Sequence, residues 1–144
     1  MVMNNPAIFL PVMTLAGWTF VVLLVIPFRR FRAGARKQVS ADDFRYGESA
    51  RVPPEVGLPN RNLMNLLEVP VLFYVVSFVY YLNNTMLNWF VPLAWAYAGL
   101  RIVHSLIHLS YNNVRHRMLA FAGSNIVVVA LWFMVLRCLL HTQP

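Results

Sequence analysis

The sequence has little of what soluble enzymes of the common classes need. Cys138 is the only cysteine among 144 residues, which excludes an internal disulfide. Acidic residues number five against twelve lysines and arginines, and charged residues make up only 12% of the chain. No Gly-rich phosphate loop and no evident nucleophile triad are present. These absences do not favour a soluble hydrolase or nucleotide-binding enzyme.

Long apolar runs dominate what remains, since 59% of the residues are hydrophobic. Four runs predict membrane helices at about residues 6–28, 61–82, 89–110 and 118–140. Each is longer than the roughly 20 residues that a helix needs to cross the hydrocarbon core. Four spans use most of the chain, so we predict one all-α integral membrane domain, a four-helix bundle covering residues 1–144.

The net charge of +7 is unevenly distributed. Two basic residues, Arg115 and Arg117, lie in the third connection, and the second connection, residues 83–88, has none. The first connection, residues 29–60, is expected to be irregular because of its prolines, and it holds Arg29, Arg30, Arg32, Arg36, Lys37, Arg45 and Arg51. This pattern predicts cytoplasmic first and third connections, with both termini outside. It favours a lipid bilayer over nucleic acid as the partner.

A polar ladder interrupts the second apolar run. Arg61, Asn65 and Glu68, here called the first ladder, are spaced by four and three residues and therefore share one helix face. A charge near the bilayer centre costs about 2.5–3.5 kcal/mol, so we expect these groups to have a use. Pro70 cannot donate a hydrogen bond to the carbonyl of Leu66, which weakens the helix beside Glu68.

A second ladder, Arg101, His104 and His108, lies in the third apolar run with the same helical spacing. Two polar stripes in membrane helices are expected to face each other or a shared cleft rather than lipid. Counting about 1.5 Å per residue from the cytoplasmic edge places Glu68 and His108 at similar depths. The expected cavity therefore includes these two residues with Arg61 and Arg115, and the deeper Arg101 is expected to serve as a structural counter-charge.

A metal site is not favoured. His104 and His108 have the i, i+4 spacing of a metal-binding pair, but a site needs a third or fourth ligand and only Glu68 is well placed. Arginines with one glutamate better fit a zwitterion that carries excess negative charge, such as glutathione. A nearby arginine or histidine would favour its thiolate form.

The run Arg61-x3-Asn65-x2-Glu68-x-Pro70, followed by Arg101-x2-His104-x3-His108 and Arg115, resembles the MAPEG family, the membrane-associated proteins in eicosanoid and glutathione metabolism. The resemblance covers nearly the whole chain. It implies four-helix subunits that assemble into homotrimers, with glutathione bound between neighbouring subunits near the cytoplasmic side. By position, the first ladder corresponds to the ligands of the glutathione backbone.

The resemblance also assigns roles to other basic residues. Arg115 corresponds to the arginine that activates the thiol in conjugating members, and Arg117 competes with it for this role. Arg101 resembles the buried arginine of the third helix. Arg30 resembles a second active-site arginine of the leukotriene-forming branch.

The chain departs from the conjugating members at two positions. Those members have tyrosines where this chain has His104 and His108, and a histidine at the first position occurs in the prostaglandin-E-forming branch. Glu68 and Pro70 are separated by one residue, where eukaryotic members often have two. The chain thus resembles a divergent bacterial member, which implies a multi-pass protein of the bacterial inner membrane.

Three functions follow from these features. The first is a glutathione-dependent transferase or peroxidase acting on lipophilic electrophiles or lipid hydroperoxides, with His108 and His104 as proton donors or polar contacts. The second is a non-enzymatic membrane protein whose ladders hold helices together, Arg101 pairing with Glu68 or Asn125. The third is an isomerase or a binder of another anionic lipophile, which would act without glutathione.

Overall fold

The computed structural model of the protein describes residues 6–83 and 87–141. A short 3-10 turn, Pro6–Ile8, leads into helix α1, Phe9–Ala35. The remaining helices are α2 (Pro54–Leu67), α3 (Pro70–Leu82), α4 (Phe90–Leu109) and α5 (Val114–His141). No β-strand occurs within the described ranges. Residues 84–86 of the predicted second connection lie outside the described residues, as do the two ends of the chain.

Four segments are long and apolar enough to cross a membrane, with α2 and α3 together forming the second: Pro6–Ala35, Pro54–Leu82, Phe90–Leu109 and Val114–His141. Large apolar side chains cover their outer surfaces; Phe20, Leu24 and Ile126 are each about two-thirds exposed or more, at 66%, 69% and 72%. So much exposed apolar surface fits lipid or another subunit rather than water. The prediction of an all-α membrane four-helix protein is confirmed.

Helix α1 continues past residue 28, where the sequence predicted its end, to Ala35. Alanines and arginines in this stretch are good helix formers, and no proline intervenes after Pro27. The end is a Schellman motif: Gln38 N–H donates to the Ala33 carbonyl at 3.0 Å and Lys37 N–H donates to Gly34 at 2.9 Å. Lys37 takes the left-handed conformation that the motif requires, with φ 57°.

Helix α2 begins at Pro54, seven residues ahead of the predicted start at Arg61. Proline suits the first helical position, because the amide hydrogen that it lacks would have no helical partner there. Pro59, inside α2, leaves the carbonyl of Glu55 without its helical donor. The Arg29 guanidinium supplies one, since Nη1 donates to that carbonyl at 2.8 Å. A contact from another helix thus allows the early start.

The second span is broken next to Glu68, as Pro70 predicted. Helix α2 ends at Leu67 and α3 begins at Pro70, while Glu68 has φ −85° and ψ −94°, outside the helical region. The backbone N–H groups of Val71 and Leu72 donate to the carbonyls of Glu68 and Val69, three residues earlier. The break places the carboxylate of the first ladder at a helix end.

The connection between α1 and α2 is folded around one buried carboxylate rather than irregular throughout. Asp43, in the 3-10 turn Ala41–Phe44, accepts hydrogen bonds from Ser40 N–H and Oγ at 2.9 Å and from Ser49 Oγ at 2.7 Å. Arg51 Nε lies 3.2 Å from Asp43 Oδ1. The Ser40 backbone bond, the two hydroxyls and Arg51 together lower the pKa of Asp43 from 3.8 to about 2.

Helix α5 starts at Val114, four residues before the predicted start at Met118. The Asn113 side chain explains this start, since Oδ1 accepts the backbone N–H groups of Arg115 at 3.0 Å and His116 at 3.2 Å. Asparagine is a preferred residue at this position because it satisfies amides that have no helical partner.

Helix α4 is the centre of the bundle: it packs most extensively on α5 and also contacts α1 and α2. Its buried face combines aromatic and small residues with polar ones. Two aromatic pairs fix it against α3, with ring centroids 4.5 Å apart for Phe73 and Tyr97 and 3.9 Å apart for Tyr80 and Phe90. The polar residues of α4 therefore lie inside the subunit, not on its lipid-facing surface.

Candidate functional site

The first ladder lies on the outer surface of α2. Arg61 and Glu68 are exposed and Asn65 is half-buried. Asn65 Nδ2 donates to the Arg61 carbonyl of the same helix at 3.1 Å. Within the described residues neither Arg61 nor Glu68 forms a salt bridge. Opposite charges that are seven residues apart are separated by about 10 Å along the helix.

Apolar side chains surround this ladder. Met64 and Leu67, between its members, are each 56% exposed, and Leu72 beyond the break is 50% exposed. Charged groups of membrane helices usually face a bundle interior, a water-filled cavity or the membrane interface. Arg61 and Glu68 are therefore exposed charges beside apolar surface, without a salt-bridge partner among the described residues.

The second ladder lies inside the subunit. Arg101 is fully buried; its Nη2 donates to the backbone carbonyl of Asn65, and its guanidinium stacks over the Phe121 ring with the Cζ atom 5.4 Å from the centroid. His104 Nδ1 donates to the Arg117 carbonyl at 2.9 Å. The rings of His104 and His108 are 6.0 Å apart. This ladder ties α4 to α2 and α5.

The two ladders meet through backbone rather than through side chains. Arg101 binds the Asn65 carbonyl, not Glu68 or Asn125, which the structural hypothesis had named as partners. Asn65 belongs to the first ladder, so a buried arginine holds the backbone from which the exposed side chains project. Arg101 is thus placed to orient the first ladder from behind.

The α4–α5 turn distinguishes Arg115 from Arg117. Arg117 is half-buried, and its Nη1 donates to Asn112 Oδ1 at 2.8 Å. The Arg115 side chain is exposed, and only its backbone takes part in the helix cap described above. Arg117 serves the turn, which leaves Arg115 as the arginine of this pair that is open to a ligand.

Arg30 is engaged by the first connection. Its Nη2 lies 3.2 Å from Glu48 Oε1, and its guanidinium stacks on the Phe44 ring at 4.4 Å. Glu48 also reaches α2, because a Cβ atom at Gly57 would lie only 2.6 Å from Glu48 Oε2. Glu48, Gly57 and Arg61 line a groove of about 290 Å³. Glu68, His108 and Arg115 do not line this groove, so it is not the four-residue cavity expected from the sequence.

A buried polar cluster behind the first ladder was missed by sequence reasoning. Asn62 Nδ2 donates to Ser105 Oγ at 2.5 Å, and Trp18 Nε1 donates to the same oxygen at 2.8 Å. Asn62 and Ser105 are both fully buried. In the sequence, Asn62 directly follows Arg61 and Ser105 directly follows His104. Each therefore lies on a different face of its helix from the ladder residue beside it, and this adjacency was the signal that could have indicated the cluster. This cluster joins α1, α2 and α4 beside the site.

For metal binding, the described residues contain no group of three or more histidine, cysteine, aspartate or glutamate side chains that could hold an ion. The pair formed by His104 and His108 therefore has no third protein ligand within the described part of the chain.

Four membrane-spanning segments, one of them carrying the buried second ladder, define an integral, multi-pass membrane protein of the four-helix class. The chain belongs to the MAPEG family, whose family model matches residues 8–137. Members of this family include glutathione transferases and peroxidases among other activities, and the family generally uses glutathione. Searches of curated proteins and of solved structures returned no match.

Proposed function

We propose that this protein is a membrane-bound glutathione-dependent transferase or peroxidase that acts on lipophilic electrophiles or lipid hydroperoxides. The observation that carries the proposal is the exposed first ladder, in which Arg61 and Glu68 stand unpaired amid apolar surface. Family membership supplies the ligand class, because the family generally uses glutathione.

Glutathione fits the first ladder chemically. It carries two carboxylates and one ammonium group, and Arg61 and Glu68 present the opposite charges about 10 Å apart along one helix face. The Asn65 amide between them would bind the peptide backbone. Arg101 would act from behind by holding the Asn65 carbonyl. Arg30, already paired with Glu48, would stand at the edge of the site rather than at its centre.

The reaction needs the thiolate form of glutathione, and the exposed Arg115 is the group that would stabilise it. In conjugation the thiolate forms a carbon–sulfur bond with the electrophile, which releases a leaving group or takes up a proton. In peroxide reduction two glutathione molecules become the disulfide while the hydroperoxide becomes alcohol and water. His108 and His104, buried behind α2, would provide polar contacts or a proton.

The proposal includes a homotrimer in the bacterial inner membrane with the first and third connections cytoplasmic. A second subunit would cover the apolar surface around Arg61 and Glu68 and complete the site. The concentration of arginines in the first and third connections supports this orientation. The lipophilic substrate would enter from the bilayer, where such molecules concentrate.

Glutathione binding by the full-length protein in detergent tests the proposal. We expect retention on glutathione resin and a thiolate absorbance that appears on adding glutathione. Glu68→Gln should abolish retention, while Arg45→Gln, an exposed charge change away from the ladder, should not. Absence of saturable glutathione binding by the wild-type protein would refute the proposal. Catalysis or lipophile binding that is independent of glutathione would favour the isomerase or anionic-lipophile hypothesis.

A structural role for the ladders is the second candidate, and contacts of the second ladder favour it. Arg101 and His104 each donate to a backbone carbonyl of another helix, α2 and α5 respectively. Under this hypothesis Glu68→Gln and Arg61→Ala would dissociate the oligomer rather than only weaken ligand binding. Oligomer mass by size-exclusion chromatography with light scattering distinguishes the two.

A further inference from the structure

A second polar groove, whose lining includes no residue of the first ladder, lies beside the C-terminal end of α1. It has a volume of about 330 Å³, and its lining includes Arg29, Arg32 and Arg36 of α1 with Glu55 at the start of α2. Their spacing of three and four residues directs the three arginines to one side of the helix. The volume is at the lower end of the range for small-molecule sites.

One wall of this groove is rigid. Arg29 donates from Nη1 to the Glu55 carbonyl at 2.8 Å and from Nη2 to the Leu109 carbonyl at 3.1 Å. These bonds satisfy carbonyls at the start of α2 and the end of α4, so the guanidinium is fixed by three helices. Ligand binding to a side chain that is already held in place costs less conformational entropy than binding to a mobile side chain.

The other two arginines keep their charges available. Arg32 and Arg36 are exposed, and in the described part of the chain neither forms an ion pair. Two acidic residues of the connection are paired with other arginines, Glu48 with Arg30 and Asp43 with Arg51. Three arginines and one glutamate leave this groove with a net charge of +2.

We propose that the groove binds a phosphate group, with phosphomonoesters preferred. A phosphomonoester carries a charge of about −1.5 to −2 at neutral pH, which matches the groove, and arginine binds phosphate oxygens in bidentate geometry. Arg32 and Arg36 would contact the oxygens, and Arg29 would contribute its fixed positive charge. The site is separate from the glutathione site and does not depend on the proposed function.

The position of the groove suits a phospholipid headgroup. The apolar run of α1 ends at Phe28, and Arg32 and Arg36 follow Arg29 by about 4.5 and 10 Å along the helix. The polar region of each leaflet is roughly 5–8 Å deep. The phosphate could come from an anionic lipid of the phosphatidic acid type or from a soluble phosphomonoester, and the two sources share the same chemistry at the arginines.

Ligand-induced stabilisation of the full-length protein in detergent micelles tests the proposal. The unfolding midpoint is measured against increasing phosphatidic acid, phosphatidylcholine or glycerol 3-phosphate at constant ionic strength. We expect saturable stabilisation by a phosphomonoester and not by phosphatidylcholine. If phosphatidic acid stabilises the protein and glycerol 3-phosphate does not, the ligand is the lipid. If glycerol 3-phosphate also stabilises the protein and competes with phosphatidic acid, the phosphate headgroup is sufficient for binding.

Two matched double variants separate a site from general positive charge. Arg32→Gln with Arg36→Gln should weaken phosphomonoester binding by about tenfold or more, since each charge-assisted hydrogen bond contributes energy of that order. Lys37→Gln with Arg45→Gln removes the same charge from the same connection outside the groove and should leave binding unchanged. Ligand-free unfolding midpoints check that both variants fold, and Arg36→Gln alone serves if the first double variant does not.

Equal weakening in both double variants would overturn the proposal, because it would show attraction to the basic surface as a whole. No saturable stabilisation by phosphatidic acid or glycerol 3-phosphate would overturn it as well.

Discussion

The two polar ladders are similar in sequence and opposite in structure. Both place charged or polar residues at helical spacing in an apolar helix, yet Arg101, His104 and His108 are at most 4% exposed while Arg61 and Glu68 project from the surface. In the second ladder, Arg101 and His104 each bind a backbone carbonyl within the subunit. In the first ladder, Arg61 and Glu68 form no salt bridge within the described residues, which is why we propose that they bind a ligand.

The position of each helix explains this difference. Helix α4 contacts α1, α2 and α5, so its polar face meets backbone carbonyls of two neighbours. Helix α2 is peripheral on one side, and its polar residues divide between the two sides. Asn62 points inward to Ser105, while its neighbour Arg61 points outward. A polar residue in a membrane helix therefore cannot be assigned to packing or to binding by its spacing alone.

The largest effect that separates the ladders is expected at Arg101. Arg101→Met would leave the Asn65 carbonyl without its donor and remove buried contacts with Phe121, so we expect a loss of about 3 kcal/mol in the free energy of unfolding. Arg61→Met, the matched change in the first ladder, should cost less than about 0.5 kcal/mol. Chemical unfolding in detergent measures both. Similar losses at the two positions would break the distinction between the ladders.

The two arginines at the α4–α5 turn are also expected to differ, one in ligand binding and the other in stability, with smaller effects. Arg115→Ala should abolish the glutathione thiolate absorbance, because lowering a thiol pKa by two units requires about 2.7 kcal/mol from a nearby positive charge. Arg117→Ala should instead destabilise the turn by about 1 kcal/mol through loss of its bond to Asn112. Absorbance titrations and unfolding curves of both variants check this. If Arg117→Ala lost the thiolate absorbance while Arg115→Ala kept it, Arg117 rather than Arg115 would be the residue that stabilises the thiolate.

Substitutions of polar residues on the inward side of α2 should lower the free energy of unfolding, as expected for the second ladder. Ser105→Ala is expected to cost about 1–3 kcal/mol, since it leaves the Asn62 amide and the Trp18 indole without their acceptor. Asn62→Ala should cost about 1 kcal/mol, since Ser105 keeps its bond from Trp18. The double variant should cost less than the sum, because both single changes remove the same bond. Asn65→Ala is the control, as its amide donates only within α2. Additive losses would show that the pair is not coupled.

The smallest effect lies outside the membrane, at Asp43. Its folded-state pKa of about 2 is below its ordinary value of 3.8, which we take for the unfolded chain. The stabilisation is therefore complete above about pH 4 and is lost as the pH falls toward 2. Asp43→Asn should remove this dependence. Unfolding midpoints measured across this pH range test it, and an unchanged profile in the variant would contradict the role assigned to Asp43.

The number of spans and the break at Pro70 could be predicted because they depend on local properties, apolar length and a missing amide hydrogen. The early start of α2 could not, since it depends on Arg29 reaching the Glu55 carbonyl from another helix. The cluster of Trp18, Asn62 and Ser105 spans three helices and has no local signature. The pairing of Arg30 with Glu48 depends on how the first connection folds back. Long-range contacts thus account for what the sequence did not reveal.

The most direct test of the account is the glutathione dissociation constant of wild-type and Arg61→Ala protein, measured by calorimetry on samples of verified oligomeric state. We predict saturable binding by the wild type and about tenfold or weaker binding by the variant, since one charge-assisted contact is lost. The unfolding midpoint and the oligomer should not change. Equal affinities, or loss of the oligomer in Arg61→Ala, would contradict the assignment of the first ladder to ligand binding.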